Sequence, residues 1–183
     1  MRIAVNTRFL LPEKMEGCSY YIYETFIRIT AAHPEHSFYF LFDRKIHDAF
    51  SFPSNVQQIV VSPQARHPFL WTIWYNWQVP RVLKKIKADV FVSPDGFCST
   101  TTNVPQCLVV HDLAFLHNPD FLRNSHLRFY RKKTPLFLKK AATIVTVSEF
   151  SKKDICKHYH VPPEKIMVTY NSANPVFKPV TDD

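Results

Sequence analysis

Glycine is nearly absent from this chain of 183 residues: Gly17 and Gly96 are the whole complement, against 14 prolines. A glycine-lined dinucleotide fingerprint is thereby excluded, because its tight turn and close backbone approach need three glycines at fixed spacing. Also missing is any apolar run near the roughly 20 residues that cross a bilayer. The opening Met1-Arg2-Ile3-Ala4-Val5-Asn6-Thr7-Arg8 is too short in its apolar part, and broken too early by Asn6 and Arg8, to read as a signal peptide. It reads as a first strand. The four cysteines, Cys18, Cys98, Cys107 and Cys156, show no Cys-x-x-Cys spacing and fall in different predicted elements. That is the pattern of reduced thiols in a cytosolic protein. Acidic residues are outnumbered, 15 against 23 Lys and Arg, which leaves a formal charge of +8. The excess favours anionic partners without choosing among nucleic acid, acidic lipid headgroups and phosphorylated small molecules.

What is present is a globular composition, 46% hydrophobic, in which strand-like and helix-like segments alternate. Ile3 to Val5, Phe38 to Phe42, Gln58 to Val61, Asp89 to Val92, Cys107 to Val110, Thr143 to Val147 and Ile166 to Val168 read as strands. Between them, Tyr20 to Ile29 has helical spacing, with Ser19 as its expected N-cap and His33-Pro34 as its stop. Leu70 to Ile86 is an aromatic helical stretch expected to break at Pro80, and further helices are expected over Ser125 to Lys140 and Glu149 to His158. This alternation predicts an α/β, Rossmann-like, doubly wound and mostly parallel sheet with helices on both faces.

Two of the apolar runs end in polar pairs, Val110 in His111-Asp112 and Val147 in Ser148-Glu149. In a parallel sheet such pairs lie at the carboxyl edge, where open α/β folds collect ligands. His111 there projects toward a cleft, able to hydrogen-bond a ligand or stabilise charge; the plainer reading is a histidine satisfied by neighbouring backbone. Asp112 reads as a cap for the turn that follows, and Ser148 as the N-cap of the next helix. Gly17 is either an ordinary loop glycine or an approach point for an anion at a helix amino terminus, with Ser19 beside it. Arg8 suits a bidentate oxyanion contact or a surface ion pair. Asp95 sits in the Ser93-Pro94-Asp95-Gly96 turn, and Tyr20 opens the aromatic helix. Trp71, Trp74 and Tyr75 share a helical face, so core packing is expected, with sugar stacking the alternative; Trp77 raises the same question. The basic stretch Arg123 to Lys140, interleaved with Phe129, Tyr130, Phe137 and Leu138, is either a solvated face or a peripheral membrane contact. His33 with His36, and His158 with His160, lack a thiolate or carboxylate partner at ligand spacing, so no metal site is expected.

In order and spacing, Val109 to Leu113, Ala142 to Ile155 and Val161 to Val168 resemble the amino-terminal half of GT-B glycosyltransferases of family 4, also called group 1. Asn6 to Leu10 and the Glu16-Gly17 turn before an aromatic helix are similar as well. The resemblance implies one half of a GT-B fold: residues 1–174 as the acceptor-side domain, residues 175–183 as the start of the linker, and the donor-binding domain absent. It implies a hexosyl- or mannosyltransferase-like enzyme of polysaccharide biosynthesis, inactive as this half alone. Its donor would be a nucleotide-diphosphate sugar, transferred with retention to a glycan or lipid-linked acceptor, with no cofactor, metal or nucleic acid. It would work in the cytoplasm, in peripheral contact with the inner face of the membrane. His111 would contact the reacting sugar, Gly17, Ser19, Ser148 and Asn171 the donor, and Arg8, Tyr20 and Asp95 the acceptor. Ser19 and Ser172 stand where relatives often carry glycine. The competing function is a basic Rossmann-like module that docks on an anionic membrane or on nucleic acid.

Overall fold

The computed structural model describes residues 1–47, 49–172 and 178. The expected linker over 175–183 therefore lies outside the described residues, apart from Lys178, as does the boundary at 174. Seven strands form one sheet in the order β3-β2-β1-β4-β5-β6-β7: β1 (Arg2–Asn6), β2 (Ser37–Phe42), β3 (Val56–Val60), β4 (Val90–Ser93), β5 (Gln106–Val109), β6 (Thr143–Thr146) and β7 (Ile166–Val168). Every pairing is parallel, so the sheet is more uniform than the mostly parallel one expected.

Right-handed crossovers decide which face each helix covers. From β1 the chain moves one way along the sheet, through α1 (Gly17–Ala32), to β2. Crossovers in the opposite direction carry α2 (Pro68–Ile73), α3 (Val79–Ile86), α5 (Asn124–Lys140) and α6 (Glu149–Tyr159). Strand alternation then divides the core in two. Val5, Phe38, Phe40 and Phe42 face Ile22 and Phe26 of α1, while Ala4, Leu41, Phe91, Leu108 and Ile144 face Trp74, Leu83, Leu138 and Ile155 on the other side. Trp71, Trp74 and Tyr75 are buried in that second layer, as their shared face predicts, whereas Trp77 is exposed.

Two expectations about helix ends need correction. Glu16, not Ser19, is the N-cap of α1; Ser19 lies inside the first turn, where its hydroxyl donates to the Phe9 carbonyl at 2.6 Å. The helix starts early because Gly17 and Cys18 adopt helical geometry without a side-chain cap. At Pro80 the helical run does not break. It widens into a π-helical turn over Trp74–Gln78, with the Val79 N–H reaching back to the Trp74 carbonyl. Proline has no N–H to offer Asn76, four residues earlier. The freed Asn76 carbonyl accepts from the Thr101 hydroxyl at 2.6 Å instead. A second proline, Pro135, is tolerated inside α5 at an exposed position.

Scarce glycine leaves a mark on the backbone. α3 and α6 both end on a left-handed residue, Lys87 (φ 52°) and His160 (φ 52°), at positions that glycine commonly fills. A Cβ in that region costs about 1–2 kcal/mol, and glycine's greater freedom in the unfolded chain returns part of the difference. Lys87→Gly and His160→Gly should therefore each stabilise the fold by roughly 0.5–1 kcal/mol in urea unfolding. A loss of stability in both would refute the capping account.

Candidate functional site

In this strand order the chain reverses direction across the sheet between β1 and β4, so the loops leaving those two strands part and open a crevice. Arg8 follows β1 and Asp95 follows β4, and the two side chains meet: Nε donates to Oδ2 at 2.6 Å, with side-chain exposures of 4% and 0%. Neither charge is at the surface. The guanidinium also donates through Nη1 to the Ala65 carbonyl at 3.0 Å, and stands over the rings of Phe9, Phe97, Trp71 and Tyr75 at 4.5–5.6 Å. Among the described residues its Nη2 is buried without a hydrogen-bond partner.

Asp95 is the hub of this network. Its carboxylate accepts from the Tyr75 hydroxyl at 2.7 Å and the Ser93 hydroxyl at 3.2 Å, while Asn6 donates to Tyr75 at 2.7 Å. Burial opposes the charge on Arg8, but the Tyr75 and Asp95 oxygens, with Asp43 beyond, more than offset it and hold its pKa above the usual arginine value. Burial, reinforced by the Asp95 charge, keeps Tyr75 neutral and raises its pKa well above that of a free phenol. Gly96 then turns the chain at φ 82°, in the left-handed region that favours glycine.

Over this floor lies a cleft of about 290 Å³ whose lining includes Phe9, Cys18, Asp95, His111, Leu113 and Phe121. His111 is half-buried in its wall. Its Nε2 lies 2.9 Å from the Pro94 carbonyl, which can only accept, so Nε2 carries a proton. The plainer reading of His111 as a histidine paired with backbone thus describes one ring nitrogen. Nδ1 is the nitrogen left for a ligand, an acceptor in the neutral ring and a donor only in imidazolium. Tyr21 of α1 packs edge-on against the ring at 4.9 Å. Cys18 donates to the same Pro94 carbonyl at 3.6 Å, and burial, with the charge of Asp95, pushes its thiol pKa up to about 12. The thiol is neutral at physiological pH and therefore a poor nucleophile. All four cysteines are free thiols.

The two strand-end pairs are physically joined. Ser148 caps α6 as expected, accepting from the Ser151 N–H at 3.0 Å. Its hydroxyl donates to the Ser151 hydroxyl at 3.1 Å, and Ser151 donates in turn to the His111 carbonyl at 3.0 Å. Asp112 accepts from the Ala114 N–H at 2.8 Å and so holds the loop that leads into α4 (Ala114–His117), but the N-cap of that helix is Leu113, so Asp112 is not the cap its position predicts. Arg8, Asp95, His111 and Ser148 therefore belong to one connected site, with Gly17 and Ser19 in the adjacent first turn of α1. Tyr20 (52% exposed) and Asn171 (exposed) make no hydrogen bond within it among the described residues. Asn6, Tyr75, Ser93 and Ser151 were missed by sequence reasoning. Tyr75 reads as one more core aromatic, and no spacing marks its hydroxyl as a partner for Asp95.

The histidine reading is corrected in one respect. Carboxylates do stand beside three of these histidines: Glu35 lies 3.2 Å from His33 and 3.5 Å from His36, while His158 meets Asp154 and the ring of His117 rather than His160. The second group joins separate elements, which sequence spacing does not show.

Residues 17–176 match the family model described as Glycosyltransferase Family 4. The O-antigen chain mannosyltransferase RfbU of Salmonella typhimurium is 34% identical over 112 residues, covering 58% of this chain and 30% of that protein. The fold is shared with WaaG, a glycosyltransferase involved in lipopolysaccharide biosynthesis, at a TM-score of 0.69 and 15% identity over 96% of this chain and 46% of that one. A glycosyltransferase from Rickettsia africae ESF-5 matches at a TM-score of 0.53 and 13% identity, over 94% of this chain and 43% of that one. The chain thus spans less than half the length of these relatives.

Removing one partner of a buried ion pair leaves the other charge uncompensated, at about 3–5 kcal/mol. Arg8→Met and Asp95→Asn should each destabilise by that amount in urea unfolding. The double substitution Arg8→Met/Asp95→Asn should lose clearly less than the sum. Additive losses would mean that the pair does not couple.

Proposed function

Because the chain belongs to Glycosyltransferase Family 4, we propose that it is the amino-terminal, acceptor-side half of a two-domain GT-B enzyme. The whole enzyme moves a hexosyl group from a nucleotide-diphosphate donor to a glycan or lipid-linked acceptor, with retention of configuration. The observation that carries this reading is the cleft at the β1–β4 reversal, with His111 held in its wall by the Pro94 carbonyl. A cleft open on one side suits a second domain that supplies the other wall. Residues 1–174 form the domain in this scheme, and 175–183 begin the linker.

In the reaction, His111 is a positioning group rather than a nucleophile. Its Nδ1 takes a hydrogen bond from a hydroxyl of the donor sugar, and the ring, held by Pro94, orients that sugar at the breaking bond. The first turn of α1 has no side-chain cap, and the carboxylate of its N-cap Glu16 is paired with Lys14 at 3.0 Å, which leaves the amides at Gly17 and Ser19 for an anion such as the donor phosphate. Ser148 acts through Ser151 on the His111 backbone, and Asn171, at the end of the described chain, borders the interdomain turn. Arg8 and Asp95 act on the acceptor by shaping the floor, because their own charges are already matched to each other. Tyr20 is the exposed acceptor-side group. The scheme uses no dissociable cofactor and no metal at the reacting centre; the second domain offsets the diphosphate charge.

Support for an envelope-polysaccharide role comes from the kinds of relative matched, RfbU and WaaG. A lipid-linked acceptor fits the surface of α5. Asn124, Leu127, Arg128, Arg131 and Lys132 recur at helical spacing and line an open groove of about 520 Å³. Phe121, 82% exposed, projects just before this helix. The aromatics of α5 itself take the plainer role, with Phe129, Tyr130 and Phe137 packed against Phe97. Among the described residues no helix is long and apolar enough to cross a membrane. In this reading contact through α5 is peripheral, on the cytoplasmic leaflet, and its basic face meets anionic lipid rather than nucleic acid.

In the whole enzyme His111→Ala should lower kcat by about 10²–10³-fold with the melting temperature unchanged. The 183-residue chain alone should transfer no sugar from a nucleotide donor. Turnover by the isolated chain would overturn the two-domain reading, and full activity of His111→Ala would remove His111 from the chemistry.

Reversing three charges in Arg128→Glu/Arg131→Glu/Lys132→Glu should weaken co-sedimentation with phosphatidylcholine–phosphatidylglycerol vesicles by at least about tenfold. Unchanged binding would exclude this helix as the membrane contact.

A further inference from the structure

Asp154 lies on α6 with its side chain only 9% exposed, a costly place for a carboxylate without a cation. Its ionic partners among the described residues are two imidazoles: His117 Nε2 at 2.7 Å and His158 Nε2 at 3.2 Å. Neither imidazole is a permanent cation. Asp154 and His158 stand one turn apart on the same face of α6, and His117 reaches them from the end of α4. The two nitrogens and the carboxylate oxygen all lie within 4.8 Å of one another.

From this geometry we propose a binding site for a divalent transition metal ion, zinc in the first instance, formed by His117, Asp154 and His158. Ligand atoms held at roughly 2.0–2.1 Å around a tetrahedral ion lie about 3.3 Å from each other. The two contacts to Asp154, 2.7 and 3.2 Å, fall short of that value and no separation in the cluster exceeds 4.8 Å, so small side-chain rotations complete the set. Two imidazoles and one carboxylate suit zinc, cobalt and nickel far better than magnesium or calcium, which take oxygen ligands. In the metal-free arrangement each Nε2 carries the proton it donates to Asp154. On binding, each neutral ring moves that proton to Nδ1 and offers the Nε2 lone pair, while the carboxylate exchanges two N–H donors for the cation. The half-exposed histidines, 44% and 36%, leave a path for the ion and room for water as the remaining ligand.

The second cluster, His33, Glu35 and His36, makes a useful control. Its three side chains come from one surface turn, and none is buried as Asp154 is. The place of the first cluster in the fold gives it a consequence. α4 follows directly from His111 and Asp112, and its Ala114 and Phe115, with Asn118 and Phe121 just beyond, line the cleft. A metal that ties His117 to α6 fastens this wall at its far end. The site is independent of the transferase reading, because its ligands are outside the cleft lining and its test needs no turnover.

The purified protein, stripped with a chelator, is titrated with zinc against a chromophoric competitor. One equivalent should bind, raising the melting temperature by roughly 5–10 °C at a hundredfold excess over Kd. Cobalt in place of zinc should give a visible absorption band characteristic of four-coordination. His117→Ala/His158→Ala should lose the binding, the thermal shift and the band, and Asp154→Asn should weaken all three. His33→Ala/His36→Ala should retain them. Absence of stoichiometric zinc binding by the parent protein, binding that persists in His117→Ala/His158→Ala, or binding lost in His33→Ala/His36→Ala would each overturn the proposal.

Discussion

The buried contact between Arg8 and Asp95 is the constraint on which this architecture rests. A guanidinium and a carboxylate taken out of water are each costly, and they are tolerable because each supplies the other's counter-charge. The pair lies where the sheet order reverses, so it ties the β1 end to the β4 end at the point where the loops otherwise part. Tyr75, Ser93 and Ala65 add hydrogen bonds to the pair, with Arg8 Nη2 left unpartnered among the described residues, and four aromatic rings surround the guanidinium. The floor of the cleft is therefore polar in composition but closed to solvent. That combination specifies a shape without offering a free charge.

His111 is held from several directions above this floor. The Pro94 carbonyl, in the turn that carries Asp95, accepts from its Nε2–H; Tyr21 packs on the ring edge; Ser151 donates to its carbonyl; and Asp112 accepts from the Ala114 N–H ahead of the next helix. Thr146 adds a hydrogen bond to the Val110 carbonyl at 2.7 Å, immediately before it. Preorganisation of this kind fixes the tautomer, and hence which nitrogen can meet a ligand. The wall and the floor share Pro94, so movement of one is felt by the other.

Prolines and glycines shape the periphery by what they cannot do. Pro80 offers no N–H, and the helical run answers with a wider turn whose spare carbonyl is met by Thr101. With only two glycines in the chain, left-handed helix ends fall to Lys87 and His160, and Gly96 is kept for the turn beside Asp95. The fold tolerates backbone strain at exposed helix ends and avoids it at the cleft.

The sequence by itself determined the class of fold, the order of its strands and helices, and the strand-end positions of His111, Asp112 and Ser148. Apolar periodicity, capping residues and prolines are local signals, and they act over a few residues whatever the rest of the chain does. Ser19 and Pro80 depart from their local signals where a longer-range bond prevails, to Phe9 in one case and through Asn76 to Thr101 in the other. Only the tertiary structure decided that Arg8 faces Asp95, that the Tyr75 hydroxyl belongs to their network, that Ser148 reaches His111 through Ser151, and that His117 joins Asp154 and His158. Each of those contacts links separate elements, or passes through a third residue. Their existence depends on which strands neighbour which and on which face each helix packs, and those relations arise from burying the whole sheet at once.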